Sequence, residues 1–329
     1  MWFKSIQAFS LTRSRFFSQI DLEAYLKPFT FSECTSNQLS SFGWISALPN
    51  TEQLCHSVNN KDYTLLRYQK ETKLLPAAHI KREVAKKVAV MELEFSRYVT
   101  KKEKEQIKED LIFELLPQAF SSQKVVSVYI DNVNELVVVD SASRGEAEDI
   151  LALLRKCLGT LPVTSFFSGH DIQECVNDWL TGDRDIPEAI NIGENVKLSG
   201  MGDMKPMATF CNEDVFDNRI TSLIREDERD IDYLQLSFDG CFSMQLNTDG
   251  IIKKLKAFDV LQEQNEDIDS DDVIARLDAD FVLMTGELTR LFCEFMSMGV
   301  VEKIEKEPFD IETLSKPSVI DKELAEDAA

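Results

Sequence analysis

An α+β fold built from mixed helices and antiparallel hairpins, with a helical hairpin extension, is predicted for this 329-residue chain on three observations. Period-two alternation with tight turn signals occurs at residues 125–140 and again at 233–258, the pattern of antiparallel strands. Helical periodicity runs almost unbroken from 76 to 116. Basic residues concentrate over residues 61–108, where thirteen Lys or Arg face seven Asp or Glu, a local net of +6 in a chain whose total is −22.

Residues 2–11 alternate as a strand through Phe3, Ile6 and Phe9. A short helix is predicted after Ser18, with Leu22, Tyr25 and Leu26 inward and Lys27-Pro28 closing it. Phe42-Gly43-Trp44-Ile45 reads as a turn into a strand whose aromatics belong to a core, because no cations are interleaved with them as a base-stacking platform requires. Residues 63–75 supply one or two further strands. The first long helix covers 76–99 with Pro76 in its first turn, where a missing N–H costs nothing. Its apolar stripe of Ile80, Val84, Val88, Met91, Phe95 and Tyr98 falls within about 80° at 100° per residue. Arg82, Lys86 and Arg97 lie on the opposite face. The second helix, 102–116, repeats Ile107, Leu111 and Leu115 and stops at Pro117, with Lys101-Lys102-Glu103-Lys104 between the two.

Such a basic edge is either the solvated back of an amphipathic pair or a surface for a polyanion or an acidic protein. Total charge does not exclude nucleic acid, since distant acids are screened beyond about 8 Å at physiological salt.

Beyond Phe120, strands at 125–130 and 135–140 turn about Asp131-Asn132-Val133-Asn134, and Ser143-x-x-Glu146 opens a helix over 145–158 that Gly159 ends. Residues 168–206 read as loops with a helical turn at 176–180. Residues 213–232 are acidic and helical in part through Ile220, Leu223 and Ile224. Strands at 233–238 and 242–246 turn on Asp239-Gly240, a further strand covers 251–258, and two hairpins so far apart imply two sheet regions. Phe281, Met284, Leu288, Leu291, Phe292 and Phe295 stripe a core helix that starts at Asp280 and ends at Gly299. Residues 303–329 are charged, short of apolar residues and interrupted by Pro308 and Pro317, the composition of a mobile acidic tail.

The chemistry-bearing residues form few constellations. Asp267, Asp269 and Asp271 alternate like the start of a calcium loop, but Asp272 stands where the loop needs glycine and Asp278 replaces the bidentate Glu. Asp269 or Ser270 is better placed to cap the following helix. Seven cysteines are scattered without a Cys-x-x-Cys pair and are expected as reduced, mostly buried thiols. Cys55-His56 is the one adjacent Cys/His pair, and neighbours on a strand point apart. No phosphate-binding glycine loop, metal site or nucleophile with its base is recognisable, so neither catalysis nor a cofactor is expected. No apolar run nears the roughly 20 residues of a membrane span and no signal pattern opens the chain, so a cytoplasmic location without membrane contact is expected.

Several stretches resemble one known family. Leu115-Leu116-Pro117-Gln118-Ala119-Phe120-Ser121, Val137-Val138-Val139-Asp140-Ser141-Ala142-Ser143, the run 151–162 and the run 277–288 are similar to the RdgC family of recombination-associated proteins of proteobacteria, as are Trp2-Phe3-Lys4, Phe42-Gly43-Trp44 and Leu74-Leu75-Pro76. The resemblance implies a ring-shaped homodimer that encircles duplex DNA without sequence preference, associates with the nucleoid and limits access of the RecA recombinase. Single-stranded DNA is a further expected ligand. It places DNA contacts on the basic hairpin, at Lys81, Arg82, Lys86, Lys87, Arg97, Lys101 and Lys102, and a dimer contact at Phe120. It divides the chain into a central region (1–75 with 121–175), the hairpin tip (76–120), a base (176–302) and the tail (303–329). The loop 207–212, Met-Ala-Thr-Phe-Cys-Asn, lacks the basic and amide side chains of the family's loop, with Lys205 the nearest cation, so a DNA contact is not expected from it. Two rival functions stay open, an adaptor docking an acidic protein on the basic helices and a metal-dependent nuclease using the acidic clusters.

Overall fold

A computed structural model describes residues 2–308 apart from 15–16, 18–20, 201–204, 227–228, 266–267 and 269–271. The fold is α+β with antiparallel sheets. In chain order its elements are β1 (Gln7–Leu11), β2 (Arg13–Ser14), α1 (Leu22–Leu26), β3 (Ser40–Ile45), β4 (Cys55–Val58), β5 (Tyr63–Lys73), α2 (Ala77–Phe95), α3 (Lys101–Leu115), β6 (Ser121–Asp131), β7 (Leu136–Val139), α4 (Arg144–Leu158), β8 (Val163–Ser165), α5 (Gly169–Thr181), β9 (Ile190–Ser199), β10 (Met207–Phe210), α6 (Asn218–Arg225), β11 (Asp230–Phe238), β12 (Phe242–Asn247), β13 (Ile252–Ala257), α7 (Asp259–Gln262), α8 (Val273–Ser297) and β14 (Glu307–Pro308). Two compact units result, one from residues up to 25, 46–67 and 126–308, the other from 26–45 and 68–125.

The larger unit holds two sheets. In the first, β6, β7, β1 and β8 are successive antiparallel neighbours, and β4 pairs with the start of β5. The second runs β10-β9-β11-β12-β13, also antiparallel. The β6–β7 turn is held by Asp131, whose Oδ1 accepts the Val133 and Asn134 N–H groups at 2.9 Å each and whose Oδ2 accepts the Thr289 hydroxyl at 3.4 Å. Burial pushes the Asp131 carboxyl above its usual range, while these donors pull it down. The β11–β12 turn places Asp239 and Gly240 at φ 43° and 66°, the left-handed pair that a type I′ turn requires.

The predicted stripe of α8 is wholly buried, and Phe166 and Phe167 meet Phe292 and Phe295 edge-on at 5.2 and 5.0 Å. The helix begins at Val273 rather than Asp280, with Asp272 as its cap accepting the Ala275 N–H at 3.0 Å. Its first turn stays exposed at Val273 and Ile274, so no buried stripe marks it in the sequence. The other proposed caps, Asp269 and Ser270, and the acidic run at 267–271 except Ile268 lie outside the described residues.

The largest departure concerns residues 168–206. Where loops were expected, α5 runs for 13 residues and β9 for ten, with β9 between β10 and β11. The bulges in the β9–β11 pairing break the period of two that a regular strand would display. Helix α5 is opened by Ser168, which accepts the Asp171 N–H, and closed by Gly182 at φ 76°, with Ile172, Cys175, Val176, Trp179 and Leu180 inside.

Thiol burial also differs from expectation. Only Cys157 and Cys175 are buried, Cys211 and Cys293 are exposed, and Cys34, Cys55 and Cys241 are intermediate; all seven are free. At the far end of the described chain, Lys306 pairs with Glu135 at 2.8 Å and β14 lies parallel to β2. Of the predicted tail, residues 309–329 lie outside the described residues. Among the described residues, no helix is long and apolar enough to cross a membrane.

Candidate nucleic-acid interface

In the smaller unit, β3 lies beside β5 and β5 beside β6, and α2 and α3 form the predicted helical hairpin. Trp44 is buried as expected, but Phe42 is exposed and contributes no core. Helix α2 stops at Phe95 because Ser96 turns left-handed at φ 47°, four residues before the predicted end. Thr100 then opens α3 with a complete capping box: its hydroxyl accepts the Glu103 N–H at 3.4 Å, and Glu103 accepts the Thr100 N–H at 2.8 Å. Arg97 closes a two-pronged pair on the same carboxylate, at 3.0 and 2.5 Å. These bonds, Arg97 first and Thr100 second, hold the Glu103 carboxyl down at about 2.

The apolar stripe is less enclosed than its periodicity implies. Ile80 and Leu111 are buried and Val84, Val88, Met91, Ile107 and Leu115 half-buried, but Phe95 is 60% and Tyr98 89% exposed. Two helices bury only the seam between them, and Tyr98 falls beyond the end of α2.

All seven predicted DNA-contact cations are exposed, in two electrostatic states. Arg82 and Lys86 both reach Glu83, at 3.1 and 2.9 Å; Lys87 reaches Glu114 of α3 at 2.8 Å; Arg97 is held by Glu103. Lys81, Lys101 and Lys102 make no ion pair among the described residues. The same is true of Lys104, part of the basic run between the helices, and of Lys108, neither of them among the seven expected contacts; both fall with Lys101 at three- and four-residue spacing on α3. That spacing was legible in the sequence.

Charge on the hairpin is patchy. Residues 77–115 carry nine Lys or Arg and eight Asp or Glu, so the +6 of residues 61–108 is not a uniform basic edge. Cations dominate the early turns of α2 and the stretch 97–108, while Glu109, Asp110 and Glu114 make the end of α3 acidic. Lys101 and Lys102 occupy the first two positions of α3, where the helix dipole disfavours cations by roughly 0.3–1 kcal/mol each. The fold gains nothing from a positive charge there.

Phe120, just past the helix-ending Pro117, is 85% exposed. Its carbonyl accepts the Leu74 N–H at 2.7 Å, and Lys73 N–H donates to the Leu39 carbonyl at 2.8 Å, so exposed Leu74 and Leu39 belong to the same sheet margin. A core position for Phe120 is ruled out within the single chain.

Residues 1–300 match a family model described as "Putative exonuclease, RdgC". The chain belongs to the RdgC family. Relatives named "Recombination-associated protein RdgC" include one from Colwellia psychrerythraea, 42% identical over 311 residues, 93% of this chain and 100% of its own length. Those from Pseudoalteromonas atlantica and Yersinia enterocolitica are 36% and 35% identical, each spanning 88% of this chain and 95% of its own.

The family description mentions an exonuclease, so the RdgC fold's acidic and nucleophilic groups bear on function. His170, Asp171 and Glu174 on the first two turns of α5 place their ligand atoms within 4.8 Å of one another, enough to hold a cation, and all three face solvent at least in part. Cys55 and His56 are divided between different partners. The Cys55 thiol donates to Glu23 Oε2 at 3.0 Å and is pushed far up by burial and by that carboxylate, while His56 Nε2 meets Asp278 Oδ1 at 2.6 Å. A thiol so held is no nucleophile. The expected loop 207–212 is in its first four residues strand β10, paired with β9, with Met207 exposed and Phe210 half-buried, and Cys211 is exposed just beyond it.

Proposed function

We propose that this RdgC chain binds duplex DNA without sequence preference, closes as a ring-shaped homodimer around it, and limits RecA's access to it at the nucleoid. The observation that carries the DNA half is the set of exposed lysines on α3 with no ion pair among the described residues, led by Lys101 and Lys102 at a helix end where positive charge has a local cost. Lysines on an exposed helix engage phosphates as point charges and read no base edges, which suits binding by backbone and shape. An acidic chain can do this if cations line the hole and acids cover the outside, where they keep the protein soluble. Exposed Phe120 supports the dimer half, since burying one Phe contributes roughly 1.5–3 kcal/mol and twofold symmetry doubles each contact.

A gel-shift on duplex and single-stranded DNA, with and without magnesium, tests the reading. A shift of random duplexes that weakens steeply with salt is expected. Magnesium-dependent loss of DNA would favour a nuclease, and no shift beside stoichiometric capture of an acidic protein would favour an adaptor.

A further inference from the structure

A cavity of about 440 Å³ opens in the larger unit between the end of α5, the turn that follows it and α6. That volume lies in the range of small-molecule sites, roughly 300–1,000 Å³. Gly182, at φ 76°, ends α5 and turns the chain so that Arg184 lines the cavity together with Trp179 of the helix just finished. Helix α6 contributes Asn218 and Arg225, and the loop before it Phe216.

Hydrogen-bond donors dominate this lining. Arg184 donates to the Met298 carbonyl at 2.7 Å, and Arg225 to the Thr181 carbonyl. Both anchors are uncharged, so each guanidinium is held in place while its charge and most of its five N–H groups stay available. Among the described residues Arg184 makes no ion pair, and Arg225 meets Asp183 at 3.8 Å with both side chains more than half exposed, a contact that neutralises little. Trp179 is 2% exposed, and its indole N–H has no acceptor. Against these donors stands one lining carboxylate, that of Asp185. Such a wall favours an oxyanion, which a guanidinium can grip with two parallel N–H bonds. Phe216 adds an aromatic face, 47% exposed, on a loop where Asp214 accepts its N–H at 3.0 Å. An exposed ring beside cations is the combination that Phe42 lacks, one group to stack a base and others to hold its phosphate.

We propose that this cavity binds a nucleoside monophosphate, its phosphate on Arg184 and Arg225 and its base against Phe216. A free nucleotide and the terminal nucleotide of a single strand both present that group. The site lies wholly within the larger unit and is independent of the hairpin's part in DNA binding.

Equilibrium dialysis of the full chain against radiolabelled deoxyadenosine monophosphate tests the site. Unlabelled deoxyadenosine and inorganic phosphate should each compete at least about tenfold more weakly than the unlabelled nucleotide, since each offers half of the contacts. Arg184→Gln should weaken binding about tenfold or more, and Phe216→Ala about fivefold or more. Phe216 is exposed, so its variant should keep the parent's melting temperature and stays informative even if loss of the Met298 contact unfolds Arg184→Gln. A single strand bearing a terminal phosphate that displaces the label better than the same strand without it would sustain the site and make a strand end its ligand. Displacement by the mononucleotide but by neither strand would sustain it for the free nucleotide. No binding, phosphate competing as well as the nucleotide, or affinity within about twofold of the parent in the folded Phe216→Ala chain would overturn the proposal.

Discussion

Lys101→Glu with Lys102→Glu should move stability and DNA binding in opposite directions. Both lysines occupy the first turn of α3, are exposed and lack a partner among the described residues, so removing them breaks no packing and no ion pair. Acids at the first positions of a helix favour its dipole, and replacing two opposing cations should stabilise α3 by roughly 0.6–2 kcal/mol at low salt. Amide exchange through α3 should slow by about 3-fold to 30-fold, measured by mass spectrometry. If both lysines contact phosphate, two contacts vanish, the log–log salt slope shrinks by about 1.8, and affinity at ~0.1 M salt falls by roughly 60-fold, with repulsion adding to it. Titration of a labelled duplex by fluorescence anisotropy at several salt concentrations reads both quantities. Affinity within about twofold of the parent, together with slower exchange, would make these lysines a solvated surface and refute their assignment. Faster exchange would refute the dipole argument.

Glu103 should titrate near 2 in a carboxyl NMR experiment, and Arg97→Gln should move its midpoint up toward the ordinary glutamate range. Because the folded value is depressed, this group's stabilisation is complete above its ordinary 4.5 and is lost as pH falls toward about 2. Asp131→Ala should lower the unfolding free energy by roughly 1–3 kcal/mol in urea titrations, since the N–H groups of Val133 and Asn134 lose their acceptor. Phe120→Ser should leave the melting temperature nearly unchanged while speeding escape from circular duplex more than from short linear fragments, as measured by competitor chase.

The sequence and the fold agree wherever a local signal was complete. Asp239-Gly240 and Asp131 to Asn134 announced their hairpins because the turn residues alone demand that backbone, and the α8 stripe from Phe281 to Phe295 was legible because every member is buried. Strand β9 was missed because its bulged pairing with β11 disrupts alternation, and the start of α8 because Val273 and Ile274 stay exposed. At the site, the positions of the cations were legible but their state was not. Lys87 meets Glu114 and Arg97 meets Glu103 only once α2 and α3 fold back on each other or the loop between them closes, and no one-dimensional spacing rule marks either pair.

Pairing changes what the hairpin offers to DNA. Nine cations on residues 77–115 would give a salt slope near −8 if each met a phosphate, whereas the five without an ion pair among the described residues would give one near −4.5. The four paired ones can join only by leaving Glu83, Glu103 or Glu114, which exchanges one charge-assisted contact for another. Exposed pairs are worth about 0–1 kcal/mol, so Arg82, Lys86 and Lys87 can be recruited at little cost. Arg97 is different: it also braces the carboxylate that caps α3, and removing it from Glu103 loosens the first turn on which Lys101 and Lys102 stand. If the hairpin is the DNA-binding surface proposed above, it engages DNA best with Arg97 kept in place as a brace; a measured slope between about −4 and −7 would fit that division of labour, while one near −8 would require the capping box to open.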